Sequence, residues 1–144
     1  MAWPHRLFFY GTLGHEQGHP LTRPFIGPAR RGWVRGRLRL IADPGGIYPV
    51  LTPGTGRVWG WVYGGCHPIA QRALAALDRW EGFDPRRPQR GEYRRTDVVV
   101  HTLSGPMHAQ AYLPNWRIHP GLAKVPGSDF AAHVAARALR IYAD

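Results

Sequence analysis

The sequence predicts an α+β domain: a small curved sheet or barrel with a few helices packed against it. Three observations carry this. Segments with a two-residue apolar period outnumber those with a helical period. Gly (18) and Pro (14) are scattered between them as turns and are not massed in one tract. With 144 residues, 44% of them hydrophobic, and no internal repeat or dividing linker, the chain suits one domain with a real core.

Along the chain, Arg6–Tyr10 is a short apolar run that Gly11 stops, as a buried strand running into a loop would be. Val34–Leu40 alternates strictly, with Val34, Gly36, Leu38 and Leu40 on one side and Arg35, Arg37 and Arg39 on the other. That is a half-buried strand. Asp43-Pro44-Gly45-Gly46 reads as a turn, and Arg57–Tyr63 as an aromatic strand. Pro68 suits a first helical position. Ile69, Ala73, Leu77 and Trp80 then form an apolar stripe, which Gly82 ends. Thr96–Leu103 and Met107–Leu113 are strands of a hairpin turning at Ser104-Gly105-Pro106. Ser128 is placed to cap a last helix over about 128–142, with Phe130, Val134, Ala138 and Ile141 on one face. Pro114–Gly127 reads as a long loop.

Composition narrows the function classes. One cysteine, Cys66, leaves no internal disulfide and no Cys-rich zinc site. No apolar run has the roughly 20 residues of a spanning helix, and no signal-peptide core precedes Tyr10. A cytoplasmic setting is the expectation. The net charge is +10, and Lys124 is the only lysine among 19 basic residues. Such a charge steers a small anion or attracts nucleic acid, while the Arg-for-Lys bias is read first of all as genomic base composition. No nucleic-acid-binding motif accompanies it.

Three constellations bear chemistry. Tyr10-Gly11-Thr12-Leu13 follows a buried strand, where converging backbone N–H groups make an anion or oxyanion site, or simply a strand exit. Glu81 is one of three glutamates, flanked by Trp80 and Phe83 at a helix end. Desolvation there raises a carboxyl pKa toward neutral and suits proton transfer; a solvent-facing helix end is the plainer alternative. His15-Glu16-Gln17-Gly18-His19 spells a zinc-protease pattern, but Gly14, Gly18 and Pro20 are poor helix material, so no catalytic zinc is expected.

Four features in order resemble the γ-glutamylcyclotransferase-like, or AIG2-like, family: Phe9-Tyr10-Gly11-Thr12-Leu13; Gly36-Arg37-Leu38 with Tyr48-Pro49-Val50-Leu51; Val58-Trp59-Gly60-Trp61-Val62-Tyr63; and Leu77-Asp78 with Glu81-Gly82, followed by Tyr93-Arg94-Arg95 and Val98-Val99-Val100. The resemblance spans about residues 6–116 of a single domain covering 1–144. It implies a small mixed β-barrel or strongly curved sheet. It also implies a cofactor-independent, metal-free reaction on a small anionic γ-glutamyl substrate, giving 5-oxoproline and a free amine. Glu81 then matches the catalytic acid and base. Tyr10, Gly11, Thr12 and Leu13 match the substrate cradle, Tyr10 and Tyr48 shape the pocket wall, and Tyr93 and Arg95 match family positions that support the site or the barrel, Tyr93 counting with the substrate-binding residues. A non-catalytic domain binding a small ligand or RNA is the alternative. Gly14 stands where family members often carry a basic residue, and Pro85–Gly91 is a basic loop that can tune substrate choice.

Overall fold

The computed structural model describes residues 6–11, 29–43, 46–65, 69–116, 125 and 129–130. Five strands and one helix follow in order: β1 (Arg6–Phe9), β2 (Arg30–Asp43), β3 (Gly46–Gly64), α1 (Gln71–Trp80), β4 (Tyr93–Thr102) and β5 (Gly105–Pro114). The strands close a barrel in the order β1-β3-β2-β4-β5. Every neighbouring pair is antiparallel except β1 and β5, which run parallel with Leu7 opposite Gln110. The sheet is therefore mixed, as expected.

Period two explains the inward face. Val34 and Leu38 of β2, Leu51, Val58 and Val62 of β3, and Val100, Ala109 and Ala111 of β4 and β5 fill the interior around Phe8. Val125 and Phe130 from the C-terminal part join the same cluster, and Phe130 is fully buried and helical. Ser128 and the rest of the expected last helix lie outside the described residues. The β2–β3 register shifts between Gly36 and Arg37: Gly36 faces Gly56 while Arg37 faces Thr52. Such an irregularity bends a strand pair and helps a small sheet to close.

β1 is apolar on both sides because both sides are covered. Phe8 points into the barrel, while Leu7 and Phe9 join Tyr63, Tyr112, Leu74 and Leu77 in a second cluster under α1. Leu74 and Leu77 have no exposed surface. Each contributes about 1.5–3 kcal/mol of burial. The helix begins at Gln71 without a side-chain cap, after Pro68, which lies outside the described residues. Its buried face is Leu74, Leu77 and Asp78, with Ala73 and Trp80 half-buried. The expected stripe thus misses Leu74 and a buried acid.

The barrel exterior holds an arginine–tryptophan ladder. The Arg57 guanidinium lies 4.5 Å from the Trp33 ring centre, and that of Arg31 5.3 Å from Trp59. Trp33 stacks on His101 at 4.1 Å. Arg31 also pairs with Asp129, which ties the C-terminal part to β2.

Candidate active site

The end of α1 is fixed by backbone chemistry. Gly82 takes φ +68°, a left-handed conformation that a side chain disfavours. Its N–H donates to the Arg79 carbonyl at 3.2 Å, and the Phe83 N–H donates to Asp78 at 2.7 Å. These two bonds satisfy carbonyls that the helix end would otherwise leave open, in a Schellman arrangement. Glu81 is the last residue before this turn. It therefore lies one turn beyond Asp78, on the same face of the helix.

Asp78 is the buried anchor of this helix end. Its carboxylate accepts from Arg95 Nε at 2.8 Å and Nη2 at 3.3 Å, and from the Tyr112 hydroxyl at 2.6 Å. Arg95 also donates to Gln110 Oε1 at 2.6 Å, and Gln110 Nε2 donates to Asp97 at 3.1 Å. The guanidinium lies over Phe83, 5.1 Å from its ring centre. Burying the Asp78 charge is tolerable because a cation and a phenol meet it. The chain of contacts fastens α1 to β4 and β5, and so sets where Glu81 stands.

β1 delivers the other side of the site. The Tyr10 hydroxyl donates to the Tyr112 carbonyl at 2.6 Å. Gly11 lies so close to Pro49 that an added Cβ would stand 2.7 Å from its Cγ. The exit of β1 is thereby set against the Tyr48-Pro49 stretch of β3. Thr12 and Leu13 lie outside the described residues, as does the His15–His19 segment.

Electrostatics joins the two sides. The Glu81 carboxyl is pushed up to about 8, first by burial, then by the neighbouring charges of Glu92 and Asp78. The Tyr10 phenol is pushed up by burial and then by Glu81, with a backbone group of Leu51 working the other way. The Tyr93 phenol is raised by burial and by Tyr10, Glu81, Tyr48 and Glu92 in turn. Such mutual effects require proximity. Tyr10, Tyr48, Glu81 and Tyr93, named from the sequence, share one neighbourhood with Glu92, which the sequence did not single out. Tyr112 was also missed: its phenol is raised by burial and by its hydrogen bond to Asp78. The AQAYL strand pattern marks its position but not its role. Among the described residues, no group of three or more His, Cys, Asp or Glu is placed to hold a metal ion. No helix among them is long and apolar enough to cross a membrane.

The small closed barrel with its packed helix agrees with comparison to known families. The profile of the gamma-glutamyl cyclotransferase, AIG2-like family matches residues 7–132. The chain belongs to that family. The match runs past residue 116, where the motif resemblance ends, into the segment that brings Val125 and Phe130 to the core. Solved structures share the fold. Bacillus subtilis YkqA is similar at TM-score 0.67 and 23% identity, over 94% of this chain and 42% of that one. This chain thus spans less than half the length of YkqA. An AIG2-like protein from Mus musculus is similar at TM-score 0.54 and 24% identity, over 81% of each chain. A protein from Arabidopsis thaliana is similar at 0.62 and 20% identity, over 96% of this chain and 77% of its own. At these identities the likeness speaks to the fold alone. Comparison with curated protein sequences gives no match.

Proposed function

We propose that this protein is a cyclotransferase that converts a γ-glutamyl amine or peptide to 5-oxoproline and a free amine, with Glu81 as its proton carrier. The substrate's α-amine nitrogen attacks its own γ-carbonyl carbon. The Glu81 carboxylate accepts a proton from that nitrogen as the ring C–N bond forms. The resulting carboxylic acid returns the proton to the leaving nitrogen as the old amide C–N bond breaks. The attack is intramolecular, so the protein's main task is to hold the glutamyl chain bent, which can supply several kcal/mol. Backbone N–H groups of the Tyr10, Gly11, Thr12 and Leu13 turn bind the substrate carboxylate or the developing oxyanion. Each such donor is typically worth about 3–4 kcal/mol. Tyr48 and Tyr93 wall the glutamyl group. A cytoplasmic enzyme needing neither metal nor cofactor is part of this reading.

The observation that carries the proposal is the poise of Glu81, raised to about 8 beside Tyr10. A group that must take a proton and give it back works best when its pKa lies near the working pH. The test is a screen of γ-glutamyl compounds for 5-oxoproline, with Glu81→Gln as control. The variant is expected to lose at least about 100-fold in kcat, the lower end of acid–base contributions. Wild-type kcat/KM is expected to rise with pH through a limb near 8. A Glu81→Gln protein that keeps its turnover removes Glu81 from the chemistry.

A further inference from the structure

The arginine–tryptophan ladder on the barrel exterior is assembled by strand pairing and not by any linear motif. Arg31, Trp33 and Arg35 of β2 lie opposite Trp61, Trp59 and Arg57 of β3 in the antiparallel register. Val34 and Val58, which alternate with them, fill the barrel, so these six side chains face outward. The Arg31 guanidinium lies 5.3 Å from the Trp59 ring centre and 5.5 Å from that of Trp61. Those of Arg57 and Arg35 lie 4.5 and 5.9 Å from the Trp33 ring centre. β4 adds His101, opposite Trp33 and stacked on it at 4.1 Å. Cations and flat rings thus alternate across three strands.

The cations are in surplus. Arg31 is matched by Asp129. Arg35, Arg57 and, one step further along β2, Arg37 are exposed, and among the described residues no carboxylate side chain pairs with them. In a chain of net charge +10, such a face draws a polyanion. A lipid surface would also need protruding apolar side chains to insert. The three tryptophans of the ladder are half-buried, and the large apolar side chains that stand exposed among the described residues, Val99, Leu103 and Trp116, are not part of it.

The spacing favours an unpaired strand over a duplex. Rungs two residues apart on an antiparallel strand are about 6.8 Å apart. That is about twice the 3.4 Å between phosphates along one strand of a duplex. A chain drawn out to this spacing has its bases separated from one another and able to stack on indole rings or guanidinium planes. Unpaired loops, bulges and ends are where RNA offers such bases.

We infer that this face is a sequence-tolerant binding surface for single-stranded RNA. Phosphates meet Arg35, Arg37 and Arg57, and bases meet Trp33 and the Arg31–Trp59 pair. The surface shares no residue with the neighbourhood of Tyr10 and Glu81, so it stands or falls apart from the cyclotransferase.

The test is fluorescence anisotropy with labelled oligouridine of roughly 16 nucleotides, the upper end of the site size for one small nucleic-acid-binding barrel. The wild type is expected to bind it with a roughly micromolar Kd that weakens with salt, and to bind duplex RNA more weakly. Arg35→Gln with Arg57→Gln, both at exposed positions, should weaken binding by roughly 10-fold at low salt and lower the log–log salt slope by about 1.4, the share of two phosphate contacts. Trp33→Ala should weaken it by about 5- to 150-fold, the worth of one stacked base, and Trp33→Tyr should restore most of the loss. No binding of oligouridine at low salt, duplex bound as tightly as the single strand, or oligothymidine bound more tightly than oligouridine overturns the surface. So does capture by phosphatidylglycerol vesicles in place of RNA, or binding that survives the paired arginine substitution.

Discussion

Glu81→Gln should stabilise the fold, and increasingly so as the pH rises. The folded-state carboxyl titrates near 8 and an unfolded glutamate near 4.5. Below pH 4.5 both states hold the proton and the residue is neutral to stability. Between 4.5 and 8 the unfolded chain releases its proton while the folded one keeps it. Folding then grows less favourable as pH rises, and the full cost is present above 8. Each pH step across that window is worth up to about 1.4 kcal/mol, so from pH 5 to pH 9 the wild type forfeits at most roughly 4 kcal/mol. Water at the half-buried side chain screens part of this, which leaves roughly 2 kcal/mol. Glutamine fills nearly the same volume and does not titrate. Urea unfolding of both proteins at pH 5, 7 and 9 should show the variant gaining on the wild type by about 2 kcal/mol across the series. A stability difference that stays flat with pH would mean that Glu81 ionises freely in water, and the argument for its poise would be wrong.

Other perturbations test the supports of the site. Arg95→Ala strands the buried Asp78 carboxylate and should cost about 3–5 kcal/mol in urea unfolding, with Tyr112→Phe costing about 1–2 kcal/mol by removing one donor to the same group. Gly11→Ala drives a Cβ to 2.7 Å from the Pro49 ring, which cannot swing aside as a flexible side chain would. It should cost about 1–3 kcal/mol in stability. It should cost more in kcat, up to about 100-fold for a displacement near 1 Å, measured as 5-oxoproline release.

Much of the barrel is legible in the sequence because period two is a local signal. The alternation of Val34 to Leu40 needs no knowledge of its partners, and β2 appears around it. The hairpin at Ser104-Gly105 is marked by its glycine, which takes φ +99°. β3 is harder to read. Pro49, Pro53 and Gly54 break its pattern, yet one strand runs from Gly46 to Gly64, with residues 53–55 passed over in the pairing where the register with β2 shifts between Gly36 and Arg37. Glu81 is legible from its apolar flanks and the glycine stop. The Asp78–Arg95–Tyr112 knot is not. Its partners lie 17 and 34 positions from Asp78, and only barrel closure brings them together. Asp78 sits within an apolar helical stripe, where periodicity leads one to expect a hydrophobic residue. The basic loop Pro85–Gly91 falls between these cases: its composition is plain, while Asn115, whose Nδ2 donates to the Pro88 and Gly91 carbonyls, is brought to it by β5.

The parallel contact of β1 with β5 has a consequence for how a newborn chain becomes competent. The phenol–carbonyl bond that locks this contact joins residues 102 positions apart. Ribosomes add about 5–20 residues per second, so the first stave waits several seconds for its last neighbour. Local order in α1 is available at once, but pairings of such long span are slow to find. A nascent polypeptide halted before Tyr112 emerges would carry Glu81 and Tyr10 and still have no place to bind anything.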